Sequence, residues 1–246
     1  MHFRHFAAVT GMLFVVLASD AAVADGDPWE PLATYQINVG TADADGDALV
    51  LRDASGHGHD LSAHTSRGGA ITLIRDGDRP RLRFPAPCAD ADRHCPHAIL
   101  QGGAAEDLNP GERRLRFGAT LRMSPAETTD GSNILQKGYS LQGSQYKLQV
   151  DGFAGHPSCV FVEDGPIWMA LSDTGVADGR WHDVACERDG GTLTVTVDGA
   201  RTGQITIPAD LSVENDEPLR LGGKDAGANN DQFSGELAAA FVSVAD

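Results

Sequence analysis

The segment Asp178–Gly199, DGRWHDVACERDGGTLTVTVDG, constrains the fold of this chain more than any other stretch. Its first half alternates, so that Trp181 and His182 fall on opposite faces, and a Gly-Gly pair separates it from the β-branched run Thr192–Val197. Dense β-branched residues between glycine- and aspartate-containing turns are the signature of an antiparallel hairpin. The segment therefore predicts two paired strands.

A second alternation extends over Arg114–Met123, RLRFGATLRM. Apolar residues occupy every second position, which indicates a strand with one buried side. The polar face carries Arg114, Arg116 and Arg122, and we expect it to be solvated, with contact to an acidic glycan as the alternative. Short strands separated by Gly, Pro and Asp turns continue along the chain, without a helical stripe, a long linker or a repeat. This pattern predicts an all-β, two-sheet antiparallel sandwich or jelly roll.

The N-terminus has the features of a secretory signal peptide over residues 1–24. A short basic start precedes the apolar run Phe6–Ala18, and Ala22-Val23-Ala24 resembles a cleavage site. We expect the mature chain, residues 25–246, to be secreted to the extracellular space as one domain. No other stretch is apolar enough to span a bilayer, so no membrane insertion is expected after cleavage.

The composition restricts the partners. Lys and Arg number 19 against 35 Asp and Glu, which gives a formal net charge of −16. Such acidity disfavours binding to nucleic acid or anionic lipid over a broad surface. The bias toward Ala, Gly, Asp and Arg is typical of GC-rich bacterial genomes.

The four cysteines predict two disulfide bonds, because an even count in an exported chain is typical of oxidised pairs. Of the three possible pairings we favour Cys88–Cys95, which closes a short loop, and Cys159–Cys186, which joins two predicted strands. The alternative is a metal site that combines the first pair with His94 and His97. Its spacing does not match the usual zinc patterns.

Three segments resemble laminin-G-like (concanavalin A-like) jelly-roll domains. They are Val50–His59 (VLRDASGHGH), the hairpin described above, and the closing segment Pro218–Val244. Their order spans nearly all of the mature chain. The resemblance implies a concanavalin A-like jelly roll, a core position for Trp181, a calcium ion at the rim and a binding module rather than an enzyme.

Calcium binds six to eight oxygen ligands. The resemblance and the loop composition point to Asp53, Asn230 and Asp231 as candidate ligands. The family often carries an acidic pair where Ala238 and Ala239 stand in this sequence, and this departure weakens the calcium prediction. The motif DADGD at residues 43–47 lacks the glycine and glutamate of an EF-hand and is predicted to be a solvated acidic turn.

We expect a non-catalytic binding module for a carbohydrate or cell-surface glycan. Sugar sites combine aromatic rings with polar groups, and Tyr139, Tyr146 and Trp168 are the candidate ligand-binding residues. The alternatives are a glycoside hydrolase or lyase of the same fold, and an adhesion or structural protein that binds another protein. Fold alone does not decide between them.

Catalytic motifs are weak in this sequence. A retaining glycosidase needs two carboxyl groups about 5 Å apart, and the nearest acidic run, Glu214–Glu217, has the wrong spacing for a single strand face. Glu187-Arg188-Asp189 is predicted to end a strand and to lead into a turn. No G-x-S-x-G motif is present, so no catalytic residue is assigned and the chain is predicted not to be an enzyme.

Overall fold

The computed structural model describes residues 28–38, 42–45, 48–77, 79–88, 94–141 and 143–246. The predicted signal peptide and its cleavage site lie outside these residues, so they stay predictions, as does the domain boundary at residue 25. Within the described chain, no helix has the length and apolarity needed to cross a bilayer.

Seventeen strands and two short 3-10 helices, Glu106–Leu108 and Pro125–Glu127, make up the described secondary structure. The strands are β1 (Glu30–Gln36), β2 (Ala42–Asp45), β3 (Ala48–Leu51), β4 (Leu61–Ser66), β5 (Thr72–Ile74), β6 (Arg81–Arg83), β7 (His97–Ala104), β8 (Arg114–Arg122), β9 (Gly131–Gly138), β10 (Ser144–Asp151), β11 (His156–Glu163), β12 (Ile167–Leu171), β13 (Trp181–Asp189), β14 (Thr192–Val197), β15 (Ala200–Thr206), β16 (Pro218–Leu221) and β17 (Glu236–Ala245).

The strands form two antiparallel sheets. The eight-stranded sheet has the order β15-β14-β13-β8-β17-β6-β5, and β1 pairs with β17. The nine-stranded sheet has the order β12-β11-β10-β9-β16-β7-β4-β3-β2. One buried hydrophobic cluster draws side chains from both sheets, as expected for a sandwich. The predicted all-β, two-sheet fold is confirmed.

The two alternating segments form neighbouring strands, β8 and β13. On β8 every second residue from Leu115 to Met123 is buried, and on β13 the buried face begins at His182. Period-two alternation is reliable here because one face packs on the core while the other faces solvent. The hairpin of β13 and β14 is paired as predicted.

The arginines of β8 face outward, but they are not simply solvated. Each guanidinium group lies over an aromatic ring, at 4.9 Å for Arg114, 5.9 Å for Arg116 and 4.8 Å for Arg122. The ring partners are Trp29, Phe241 and Trp181, respectively. The expected core position of Trp181 is therefore wrong: its ring is partly exposed on the outer face of the eight-stranded sheet, where cation–π contacts cover it.

The structure contains both disulfide bonds in the predicted pairing, Cys88–Cys95 and Cys159–Cys186. The second bond links β11 of one sheet to β13 of the other. Both of its cysteines belong to the buried cluster. It is therefore a covalent connection between the sheets inside the core.

Two strands were not predicted. Residues 43–45 pair with β3 as part of β2, so the expected acidic turn is wrong there, and residues 46 and 47 lie outside the described residues. Alternating Asp and Ala has low strand propensity, and charged residues are typical of edge strands. The strand β4 is polar except for Leu61 and Ala63, and its pairing with β7 defines it.

His182 bridges two carboxylates and predicts a pH-dependent stability. Its Nδ1 lies 2.8 Å from Asp198 Oδ2, and its Nε2 lies 3.0 Å from Asp178 Oδ1. Burial opposes the charged form, but the two carboxylates raise the pKa of His182 above its ordinary value. Both aspartates have lowered pKa values and stay charged above pH 6, and Arg180 also contacts Asp178.

Because the pKa of His182 is higher in the folded protein, protonated His182 stabilises the fold, and this contribution is fully present below the unfolded-state pKa of about 6.5. The contribution is lost as the pH rises through the folded-state pKa. We expect H182N to reduce the free energy of unfolding by about 1 kcal/mol more at pH 6 than at pH 9. Urea denaturation of both proteins at the two pH values measures this. Equal losses at both pH values would show that the imidazole acts only by packing.

Candidate functional site

A row of side chains crosses the outer face of the nine-stranded sheet. In register from β4 to β12 it consists of Ser62, Gln101, Arg220, Gln136, Lys147, Val160 and Met169. Neighbours of these residues on each strand belong to the buried cluster, and successive side chains of a strand point to opposite faces. The row therefore points away from the core, and we call it the cross-strand row.

The centre of this face is recessed. Gln136, Gln145 and Asn133 point outward, yet each is at most 3% exposed. The flanking Tyr139 and Lys147 are partly exposed, and Met169 is 44% exposed. A polar floor bordered by more exposed side chains is the shape of a ligand site rather than of a flat solvated sheet.

Tyr139 lies at one side of the recess, just beyond the end of β9. The Arg220 guanidinium group lies 4.9 Å from the centre of its ring, and its hydroxyl donates to the Lys224 carbonyl at 2.8 Å. Arg220 is itself fixed by Gln101 and Glu217, both at 2.8 Å. Burial raises the pKa of Tyr139, which keeps the hydroxyl a neutral donor. The ring is thus held in one orientation above β16.

Three polar groups on this face, the Lys147 ammonium group, Asn133 Oδ1 and His97 Nδ1, have no hydrogen-bond partner in the described part of the chain. No hydrogen bond or ion pair there involves the Lys147 ammonium group, whose pKa burial lowers while Asp231 and Asp151 oppose the shift. Asn133 Oδ1 is buried without a hydrogen-bond partner, although Asn133 Nδ2 donates to Gln136 Oε1 at 2.7 Å. Of these groups only Lys147 is partly exposed, so it is the one that can donate to a sugar hydroxyl, since each hydroxyl both donates and accepts.

The loop between β16 and β17 packs on the same face and contains two predicted calcium ligands. Asn230 is 1% exposed and donates to the Asp225 carbonyl at 2.9 Å. The Asp231 carbonyl accepts from Asn133 N at 2.8 Å, and its carboxylate pairs with Lys224 at 3.0 Å. Asp231 therefore holds the loop against β9, and Asn230 stabilises the loop internally.

Asp53, the third predicted calcium ligand, organises a different loop. One carboxylate oxygen accepts from the amides of Thr34 and Ser55, each at 2.9 Å. The other accepts from the Ser55 hydroxyl at 2.7 Å and from the His59 amide at 3.1 Å. Burial would raise the pKa of Asp53, but these hydrogen bonds lower it.

The predicted ligands do not fit a calcium site. Both carboxylate oxygens of Asp53 and one of Asp231 accept from protein donors, and the hydrogen bonds of Asp53 share no partner with those of Asn230 and Asp231. No group of three or more His, Cys, Asp or Glu in the described residues is arranged to hold a metal ion. Calcium binding stays a prediction, and no step below depends on it.

Two predicted sugar-contacting residues lie elsewhere. Tyr146 is fully buried and donates to the Leu108 carbonyl, so the structure corrects its predicted role: neither face of its ring is open. Trp168 is only partly buried, but it points inward, pairs with Phe161 and packs on the core. Only Tyr139 lies on the recessed face. Gln136, Lys147 and Arg220 were not singled out from the sequence.

A cavity of about 670 Å³ lies at one rim of the sandwich, where the predicted acidic run borders it. Its lining includes Glu106, Glu214 and Asp216. Its floor is fixed by buried Lys137, whose ammonium group donates to the carbonyls of Asn215 and Glu217. Burial lowers the pKa of Lys137 to about 8. No aromatic ring is among the described lining residues, so this cavity lacks the stacking surface of a sugar site.

The model of the concanavalin A-like lectin/glucanases superfamily matches residues 115–242, just over half of the chain. The chain belongs to this superfamily. The match covers β8 to β17, and therefore includes the hairpin and most strands of the cross-strand row. Among curated proteins, none is significantly similar to this superfamily member in sequence.

Solved structures of the same fold include several binding domains. Domain 4 of an extracellular GH43 arabinanase from Geobacillus stearothermophilus, in complex with arabinotriose, is 13% identical with a TM-score of 0.63, over 89% of this chain and 94% of that one. A second structure comes from work on the cell entry of botulinum neurotoxin type C, which depends on two ganglioside molecules. It is 9% identical with a TM-score of 0.60, and the match covers 88% of this chain and 48% of that one.

The binding domain of Paraclostridial Mosquitocidal Protein 1 is 12% identical with a TM-score of 0.57, over 88% of this chain and 49% of that one. The superfamily member thus spans about half the length of the toxin domains that it matches. At these identities the likeness shows the common fold.

Proposed function

We propose that this chain is a non-catalytic carbohydrate-binding module, and that a saccharide binds in the recess of the nine-stranded sheet. The observation that carries the proposal is the fixed ring of Tyr139 beside the polar half of the cross-strand row. A pyranose or furanose face stacks on such a ring, while its hydroxyl groups form directional hydrogen bonds. Lys147 Nζ is a partly exposed donor on this face without a protein partner among the described residues.

The comparisons support this proposal without deciding it. An arabinanase domain of nearly equal length has the same fold and was solved with an arabinose oligosaccharide. The two disulfide bonds agree with an extracellular location, because such bonds persist in oxidising compartments. Secretion itself rests on the predicted signal peptide.

The carboxyl groups favour binding over hydrolysis. A glycosidase acid needs a raised pKa, whereas each described carboxyl group with a shifted pKa, such as Asp53 or Glu236, has it lowered. The carboxylates near the recess are paired, for example Glu217 with Arg220. Release of reducing ends from a bound polysaccharide would contradict this half of the proposal.

A glycan array probed with the purified chain tests the function, once with calcium and once with EDTA. We expect binding to at least one neutral saccharide under both conditions, because stacking on Tyr139 and a hydrogen bond from Lys147 need no metal ion. Binding lost in EDTA would restore the calcium prediction. Absence of binding under both conditions would contradict the proposed function.

Replacing Tyr139 tests the location of the site. We expect Y139A to weaken saccharide binding at least tenfold, which corresponds to about 1.4 kcal/mol, because the stacking surface is lost. Y139F keeps the ring and should bind within about threefold of the original, since the lost hydroxyl contacts Lys224 rather than the recess. Isothermal titration calorimetry with the best array ligand measures both variants.

Trp181 provides a matched control on the other sheet, because its ring also lies under an arginine, at 4.8 Å. W181A should leave binding unchanged. Equal weakening by W181A and Y139A would place the site elsewhere, and thermal unfolding of each variant would separate lost contacts from lost folding.

A further inference from the structure

The outer face of the nine-stranded sheet changes character between β10 and β11. The cross-strand row is polar up to Lys147 and apolar from Val160 to Met169. The two adjoining rows also end in an apolar residue on β12: Leu171 lies beside Ser158 of β11, and Ile167 lies beside Val162 of β11. The β11 residues of these rows are at most 4% exposed, so the exposed apolar side chains of this face are those of β12.

Three apolar side chains of β12 are well exposed. Ile167 is 63% exposed, Met169 44% and Leu171 48%. They make up three of the five exposed large hydrophobic residues in the described chain, and the other two lie in turns. We call these three residues the apolar edge. Side chains of this kind in consecutive same-face positions leave a contiguous patch in water, which marks an interaction site.

We infer that the ligand of the recess is a saccharide that carries an apolar substituent, an alkyl, acyl or aryl group, and that this substituent lies on the apolar edge. The inference rests on the proposed function. Neighbouring strands are about 4.8 Å apart, so Met169 is about 10 Å from Lys147 and about 19 Å from Arg220. One or two sugar rings fill the polar half, and a short chain attached to them reaches the edge.

A protein partner fits this surface poorly. A stable interface buries about 800 Å² on each partner through 20–30 residues, whereas the apolar edge has three side chains on a five-residue strand. A second copy is also disfavoured. Antiparallel pairing of two β12 strands would place Asp173 of one copy near Asp164 of the other, and each copy carries a formal charge of −16.

Paired glycosides test the inference on the intact chain. Methyl and n-octyl β-glycosides of glucose, galactose and mannose, each below its micelle concentration, are titrated by calorimetry. We expect the octyl form of at least one sugar to bind at least ten times more tightly than its methyl form. Equal affinities for the two forms would overturn the inference and leave the proposed function intact. Absence of binding by all six would overturn it as well.

Three variants locate the substituent. Replacing Ile167 and Leu171 together by Ser should remove the octyl advantage and leave methyl affinity unchanged. Tyr139→Ala should weaken both forms, and the matched control Leu141→Ser, which removes an exposed leucine in a turn, should change neither. An octyl advantage that survives the double replacement would overturn the inference.

Sugar-free phosphatidylcholine vesicles distinguish a substituent from a membrane. We expect no sedimentation of the chain with these vesicles, because the apolar edge is too small to anchor it without the saccharide. Sedimentation that the double replacement abolishes would assign the edge to a lipid surface and overturn the inference.

Discussion

Removing the Cys159–Cys186 bond by C159A/C186A is expected to lower the free energy of unfolding by about 3.5 kcal/mol. The bond closes a segment with a sequence separation of 27 residues, and the chain-entropy model gives about this value for such a loop. Because it joins β11 to β13, its loss also allows the two sheets to separate in partly unfolded states. Guanidinium denaturation followed by tryptophan fluorescence measures the change.

The pair C88A/C95A is the matched control. Its sequence separation is 7 residues, for which the same model gives about 2.5 kcal/mol. The inter-sheet variant should therefore be the less stable of the two by about 1 kcal/mol or more, since cysteine removal in the core also leaves a small cavity. An equal or larger loss from C88A/C95A would show that the core cysteines do not hold the sheets together.

The sequence predicts the fold well where one face of a strand is buried. The alternation of β8 and β13 follows from burial on one side, and it places Phe117 and Val184 in the core as observed. Prediction from the sequence fails where contacts with other strands or side chains determine the position of a residue. The polar β4 is defined by pairing with β7, and Trp181 lies outside because arginines rather than core side chains cover its ring.

The candidate site is harder to predict because it depends on strand order. Gln101, Gln136, Lys147 and Arg220 are far apart in the sequence, and they become neighbours only because β16 lies between β7 and β9. No local pattern marks them. Tyr139 could be named from composition, since the chain has only three tyrosines, but its ring orientation depends on Arg220 and Lys224.

Arg188 shows that a local pattern can be present and still be overlooked. Residues 187–189 end β13 just before the turn at residues 190–191, as predicted, and Arg188 occupies the next inward position after Cys186. The residue is 2% exposed. A charged residue on a buried face is rare unless its donors are satisfied.

The neighbours of Arg188 explain how the charge is accommodated. Its guanidinium group donates to the carbonyls of Leu211 at 2.7 Å and Gly111 at 2.8 Å, and to that of Arg113. It also lies 5.6 Å from the Phe161 ring. Burial lowers the pKa of Arg188 to about 10, so the group stays charged at neutral pH. Three chain segments are thus fixed to one side chain.

R188M is expected to lower the free energy of unfolding by about 3–5 kcal/mol, because methionine fills similar space but leaves three carbonyls without donors. R188K should lower the free energy of unfolding by less, since the lysine ammonium group can donate to some of the three carbonyls. Urea denaturation at pH 7 measures both. The control is R113M, at an exposed arginine that contacts only nearby carbonyls, and its loss should stay below about 1 kcal/mol. If R188M cost no more than R113M, the buried guanidinium group would not be what joins the start of β8 to the β15–β16 connection.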